Sequence, residues 1–125
     1  MTTQPNGGRG DVMLELAERA DERGQFFFYV RIHEDLGPEA RGERYQDALD
    51  AALNAADVGD VTGGGSQLGE GDSVEYCGID VVVDDRDAGL ALIQATMREL
   101  GCPRNTVIEE YLPEYVEHSV WDSAG

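Results

Sequence analysis

The sequence predicts an α+β fold: a ferredoxin-like βαββαβ sandwich with an extra N-terminal helix and a C-terminal tail or edge strand. Three observations lead there. "FFFYVRIH" and "CGIDVVVDD" are apolar, β-branched or aromatic at strand length. Two alanine- and leucine-bearing stretches repeat at helical spacing. After a first helix the elements run strand, helix, strand, strand, helix, strand, the order of two split βαβ crossovers. Right-handed crossovers place the strands in order 4-1-3-2, with both crossover helices on one face.

Each element has its own local reason. Residues 1–10, "MTTQPNGGRG", read as a disordered leader, residues 11–112 as the domain and residues 113–125 as a tail. Asp11 suits a helix cap, and Gly24 a stop after Arg23. In the first strand, alternation assigns Phe26, Phe28, Val30 and Ile32 to the core. Phe27, Tyr29, Arg31 and His33 fall on the other face. After Pro38, Tyr45, Leu49 and Leu53 recur at helical spacing, with Gly42 weakening the first turn. Asp60 to Gly64 make a short strand. In the third strand Cys77, Ile79, Val81 and Val83 take the core, and Tyr76, Gly78, Asp80, Val82 and Asp84 the other face. A helix follows from about Ala88 to Leu100, with Asp84, Asp85 and Asp87 at its dipole-favoured start, and Gly101 and Pro103 stop it. Asn105 to Tyr111 form the fourth strand, and "YVEHSVW" either an edge strand or a wrapping tail.

Composition narrows the function. The chain has 125 residues, with 26 acidic residues against 9 basic ones and a formal net charge of −17. All the basic residues are arginine. Such a charge repels phosphates and anionic lipid, so no nucleic acid and no membrane is expected as a partner. It fits a solvated surface in salty surroundings, attraction to a basic protein partner, or a cation-binding cluster. No run of about 18 apolar residues is present, and the start lacks a hydrophobic signal region. The expected location is cytoplasmic.

The stretch "TGGGSQLGEGD" resembles a phosphate cradle, but a P-loop runs from strand into helix and carries a lysine. Here the glycines lie between two strands. They read as a bulged strand end and a hairpin loop, with Gly64, Gly65 and Ser66 as a contact for a small ligand or partner. No cofactor or metal is expected. Asp84, Asp85 and Asp87 lack the EF-hand layout and read as helix caps. Cys77 and His33 have opposite parity, which excludes a hydrogen-bonded dyad. Cys77 and Cys102 read as free thiols.

Tyr29, Arg31, His33, Tyr76 and Asp80 share the non-helical face and make the candidate ligand or interface site, with Arg31 and Asp80 as a cross-strand ion pair. The bland alternative is a face covered by a second copy, the N-terminal helix or the tail. "GERYQDALDAAL", "GDVTGGGSQL", "CGIDVVVDD" and "GLALIQATMRELGCPRNTVIEE" resemble a group of small uncharacterised bacterial proteins with a ferredoxin-like layout, in the TGGGS turn and the helix ending LGxP. That resemblance covers about Phe26 to Tyr111. It implies the fold and an acidic residue at the place of Asp80, and it implies no activity. The leading expectation is a small acidic binding or protein-interaction domain, non-enzymatic, using the open sheet face, with a homodimer or a basic protein as partner. The alternative is an enzyme acting on a small anionic substrate, with Arg31 as anchor and His33 as acid or base.

Overall fold

The computed structural model of the chain describes residues 7–34, 38–68 and 74–121. Its elements are α1 (Gly7–Glu22), β1 (Phe26–Ile32), α2 (Pro38–Arg41), a π-helical turn (Gly42–Gln46), α3 (Asp47–Ala55), β2 (Gly59–Leu68), β3 (Val74–Val83), α4 (Arg86–Glu99), β4 (Val107–Glu110) and β5 (Val116–Ser119). The fold is α+β. The strands form one sheet in the order β2-β3-β1-β4-β5, and every neighbouring pair is antiparallel.

Strand alternation sorts the apolar side chains onto two faces. Phe28, Val30 and Ile32 of β1 join Cys77, Ile79, Val81 and Val83 of β3 in the main core. Leu49 and Leu53 of α3 and Ile93 and Met97 of α4 close over them. On the opposite face α1 lays Met13, Ala17 and Ala20 onto Phe27 and Tyr29. Helices therefore pack on both sides of the sheet, α1 over its β1–β3 part. Cys77 and Cys102 are free and buried, and both belong to the main core.

Several elements differ in extent from their sequence expectation. α1 starts at Gly7, so residues 7–10 are helical and Asp11 lies inside the helix rather than capping it. Residues 1–6 of the expected leader, and 122–125 of the expected tail, lie outside the described residues. Of the two readings of "YVEHSVW" the structure takes the edge strand, because β5 pairs with β4 from Val107–Ser119 to Glu110–Val116. β2 continues through the glycines: Gly63, Gly64 and Gly65 stand opposite Asp80, Ile79 and Gly78. Gly64, Gly65 and Ser66 thus lie in a paired strand, not a hairpin loop. A register shift between Val61 and Gly63 leaves Thr62 as the extra residue of a bulge. Gly42 opens a π-helical turn that joins α2 to α3. Tyr45 within that turn and Leu49 and Leu53 of α3 form one fully buried stripe. Asp85 caps α4, its side chain accepting from the Ala88 amide at 3.0 Å.

Phe26 is the exception to the alternation, since it remains 38% exposed. β4 pairs with β1 only from Phe28 to Arg31, so no β4 residue stands beside Phe26.

Two glycines fix how closely the layers approach. A Cβ on Gly89 would stand 2.7 Å from the Val83 side chain, so α4 sits on β3 only because that Cβ is missing. A Cβ on Gly78 would fall inside the phenol of Tyr29, which lies across β3 beneath α1. Gly78→Ala is expected to cost about 1–3 kcal/mol through overpacking. Urea denaturation checks this as a lowered midpoint with unchanged slope. The cost should shrink in a Tyr29→Val background; an equal cost there would show that the Tyr29 phenol is not the obstacle.

Candidate functional site

The register places Tyr29 opposite Asp80 and Arg31 opposite Gly78. On the same side the rings of His33 and Tyr76 lie 5.8 Å apart. This face is not open along its length. Tyr29 is 5% exposed, packed with α1 residues Met13, Ala17 and Ala20.

Arg31 does not pair with Asp80. Its guanidinium turns the other way, toward β4 and β5, where Glu109 and Glu117 stand directly opposite one another. Like charges so placed repel, and Arg31 spans them, with Nη1 bonding Glu109 Oε2 and Nη2 3.5 Å from Glu117 Oε2. Glu109 is fully buried. The Tyr111 hydroxyl donates to Glu109, and the Tyr115 hydroxyl donates to Glu117 at 2.7 Å. Burial opposes the charge on Arg31, but Glu109 and Glu117 outweigh it and raise the guanidinium above its ordinary value. Burial, reinforced by the hydrogen bond to Glu117, pushes the Tyr115 hydroxyl well above the usual tyrosine value.

Asp80 is left beside the glycine strand. Its Oδ2 lies 3.2 Å from where a Cβ of Gly63 would stand. Its Oδ1 is buried without a hydrogen-bond partner among the described residues. Burial pushes this carboxyl above the usual range, partly opposed by Arg41.

A second ionic cluster occupies the opposite face. Arg86 grips Glu110 with Nε at 2.6 Å and Nη2 at 2.8 Å, the two-pronged geometry an arginine fork suits. His118 Nε2 lies 2.9 Å from the same carboxylate. Burial alone would raise the Glu110 carboxyl, but Arg86 and then His118 outweigh it and hold it below the usual range. A third cluster ties the π turn to the end of β1. The Tyr45 hydroxyl donates to Glu34 and accepts from Arg44 Nε at 3.0 Å. Burial and the Glu34 acceptor push Tyr45 up to about 12.

Comparison with protein-family models, curated proteins and solved structures finds no match to this chain. What the arrangement can do must be read from its chemistry. Among the described residues, no group of three or more His, Cys, Asp or Glu side chains is placed to hold a metal ion, and no helix is long and apolar enough to cross a membrane. Asp84, Asp85 and Asp87 do not converge: Asp84 accepts from Gln25, Asp85 caps α4, and Asp87 pairs with Arg86.

The structure thus brings His33 to Tyr76 and Tyr29 to Asp80, and parts Arg31 from Asp80. Sequence reasoning missed Glu109, Tyr111, Tyr115 and Glu117. Their signal is "EEYLPEYVE", in which tyrosine and glutamate recur on either side of Pro113. A hairpin turning at that proline sets them on one face.

Arg31→Met is expected to destabilise the fold by about 3 kcal/mol, because it takes a cation from a buried carboxylate. Adding Glu109→Met should recover most of that loss in urea denaturation. A double variant as unstable as the single one would show that the ion pair is not the source. Asp80→Asn is expected to stabilise the fold by about 1 kcal/mol near neutral pH, by removing a buried charge with an unpaired oxygen. The folded state raises the proton affinity of Asp80, so the wild-type cost disappears as pH falls through the folded-state value. The advantage of Asp80→Asn should therefore fade as pH falls from neutrality toward the ordinary aspartate value of about 4; an advantage independent of pH would contradict this origin.

Proposed function

We propose that the chain is a small acidic protein-interaction domain on a ferredoxin-like frame, which binds a basic protein partner on the β4–β5 side of the α1-covered face. The antiparallel order β2-β3-β1-β4 supports that frame. The resemblance to small bacterial proteins with the TGGGS and LGxP patterns is part of the same reading. The observation that carries the function is the engagement of Arg31 by two carboxylates. With Arg31 counted against Glu109 and Glu117, this patch holds an excess of negative charge. It repels an anionic ligand and attracts a cationic one. Beside it Tyr115 is 49% exposed, and Glu117 keeps 45% of its side chain in solvent. An exposed phenol next to a carboxylate is what an arginine-rich surface packs against.

The same observation weighs against an enzyme in which Arg31 anchors an anionic substrate for His33. A guanidinium already shared by two carboxylates has little field left for a third anion. A homodimer through this face is disfavoured at low salt by the net charge of −17 on each copy.

The expected outcome is that a fluorescent arginine-rich peptide binds, that its affinity falls as salt rises, and that Tyr115→Ala weakens it about tenfold, the scale of an aromatic hot spot. Anisotropy titrations read all three. An acidic peptide that binds equally well would refute the proposal. So would a dimer that light scattering shows to be dissociated by Tyr115→Ala.

A further inference from the structure

The register leaves a notch at one end of the sheet. β1 begins at Phe26, yet β4 accompanies it only from Phe28 onward. Where β4 departs toward Pro113 and α1 reaches its last turns, a cleft of about 340 Å³ remains. That is at the small end of ligand sites and suits one side chain better than a large molecule. Its walls are Ala17, Phe26, Phe27, Leu112 and Pro113. Its polar lining is Asp21, Gln25 and Glu110, and no basic residue lines it.

The charges around the notch select its occupant. Both oxygens of Glu110 are already taken by Arg86 and His118, so that carboxylate is a neutralised wall rather than a free counter-ion. Asp21 is exposed at the rim. Gln25 donates to Asp84 at 2.9 Å, which holds a second exposed carboxylate close by. Phe26 is the one member of the apolar stripe of β1 that is left in solvent. An aromatic face, an apolar trough and carboxylates at the mouth are together complementary to a guanidinium or ammonium on an aliphatic stem. An anion would meet Asp21 and Asp84, and a purely apolar group would leave them unused.

We infer that this cleft is the anchor pocket for a single arginine or lysine side chain of the basic partner, with Phe26 stacking on the cation and Asp21 countering its charge. The inference rests on the proposed function and adds to it the point of insertion. The β4–β5 surface then receives the rest of the partner segment.

N-acetyl-arginine methylamide and its citrulline counterpart test the pocket by itself. The two share a shape and differ in charge. Titrated into the 15N-labelled full chain, the arginine compound is expected to shift the amides of Ala17, Asp21, Gln25 and Phe27 saturably. It should bind at least about fivefold more tightly than the citrulline compound, and Asp21→Asn should abolish that preference. With the arginine-rich peptide, Phe26→Ala is expected to weaken binding about tenfold. Phe26 is 38% exposed, so this variant is expected to fold, as circular dichroism checks; Phe26→Leu, which keeps the apolar wall and loses the aromatic face, guards the result by weakening binding in the same direction. Equal binding of arginine and citrulline compounds, or shifts scattered over the surface without saturation, would overturn the pocket. If the peptide binds and responds to Tyr115→Ala but ignores Asp21→Asn and Phe26→Ala, the pocket falls and the interaction surface stands. If the wild-type chain does not bind the peptide at all, both fall.

Discussion

The structure turns on a constraint in β4: two consecutive glutamates, Glu109 and Glu110, in a strand that buries its side chains on both faces. Alternation sends one carboxylate to each side, and both are buried. A buried carboxylate is tolerated only with a cation and hydrogen bonds to match it. Arg31 and Tyr111 serve Glu109, and Arg86 and His118 serve Glu110. These partners come from β1, α4, β5 and the turn after β4, so satisfying one dipeptide fixes the relative placement of most of the sheet. Every basic residue in the chain is arginine. The fork of Arg86 shows what a lysine would lose there, namely the second of two parallel bonds.

The same constraint shapes the surface. Arg31 has been drawn inward to balance β4 and β5, and the carboxylate excess is left facing solvent around Tyr115 and Glu117. α1 seals the β1–β3 part of that face, where Tyr29 lies over Gly78, and leaves the β4–β5 part and the notch at Phe26 unsealed. Binding on this molecule is thus a matter of what the first helix fails to cover, part of one face and the end of the sheet beside it.

Much of the fold was legible because its strongest strands carry an unambiguous period. Phe28, Val30 and Ile32, and Cys77, Ile79, Val81 and Val83, alternate cleanly and form the main core. The limits of that reading are equally physical. Alternation assigns a face but not a neighbour, so it put Arg31 and Asp80 on one side and could not say that Arg31 would lean diagonally toward β4. Glycine has little strand propensity of its own, and three in a row read as a loop; pairing with the strongly apolar β3 overrode that preference. Phe26 obeyed its period and still stayed exposed, because burial also depends on how far the neighbouring strand extends. The choice between edge strand and tail after β4 stayed open for a related reason: the outer strand, Val116–Ser119, carries no apolar alternation to decide it.

The two thiols sit in the same apolar layer, Cys77 on the interior strand β3 and Cys102 just beyond α4. Burial pushes the Cys77 thiol up, which makes it a poor nucleophile while the layers stay closed. Any reagent that seeks thiolate must wait until the sandwich parts. The molecule therefore carries within it a native clock of its own opening, one that needs no introduced label and runs at the pace of local or global unfolding.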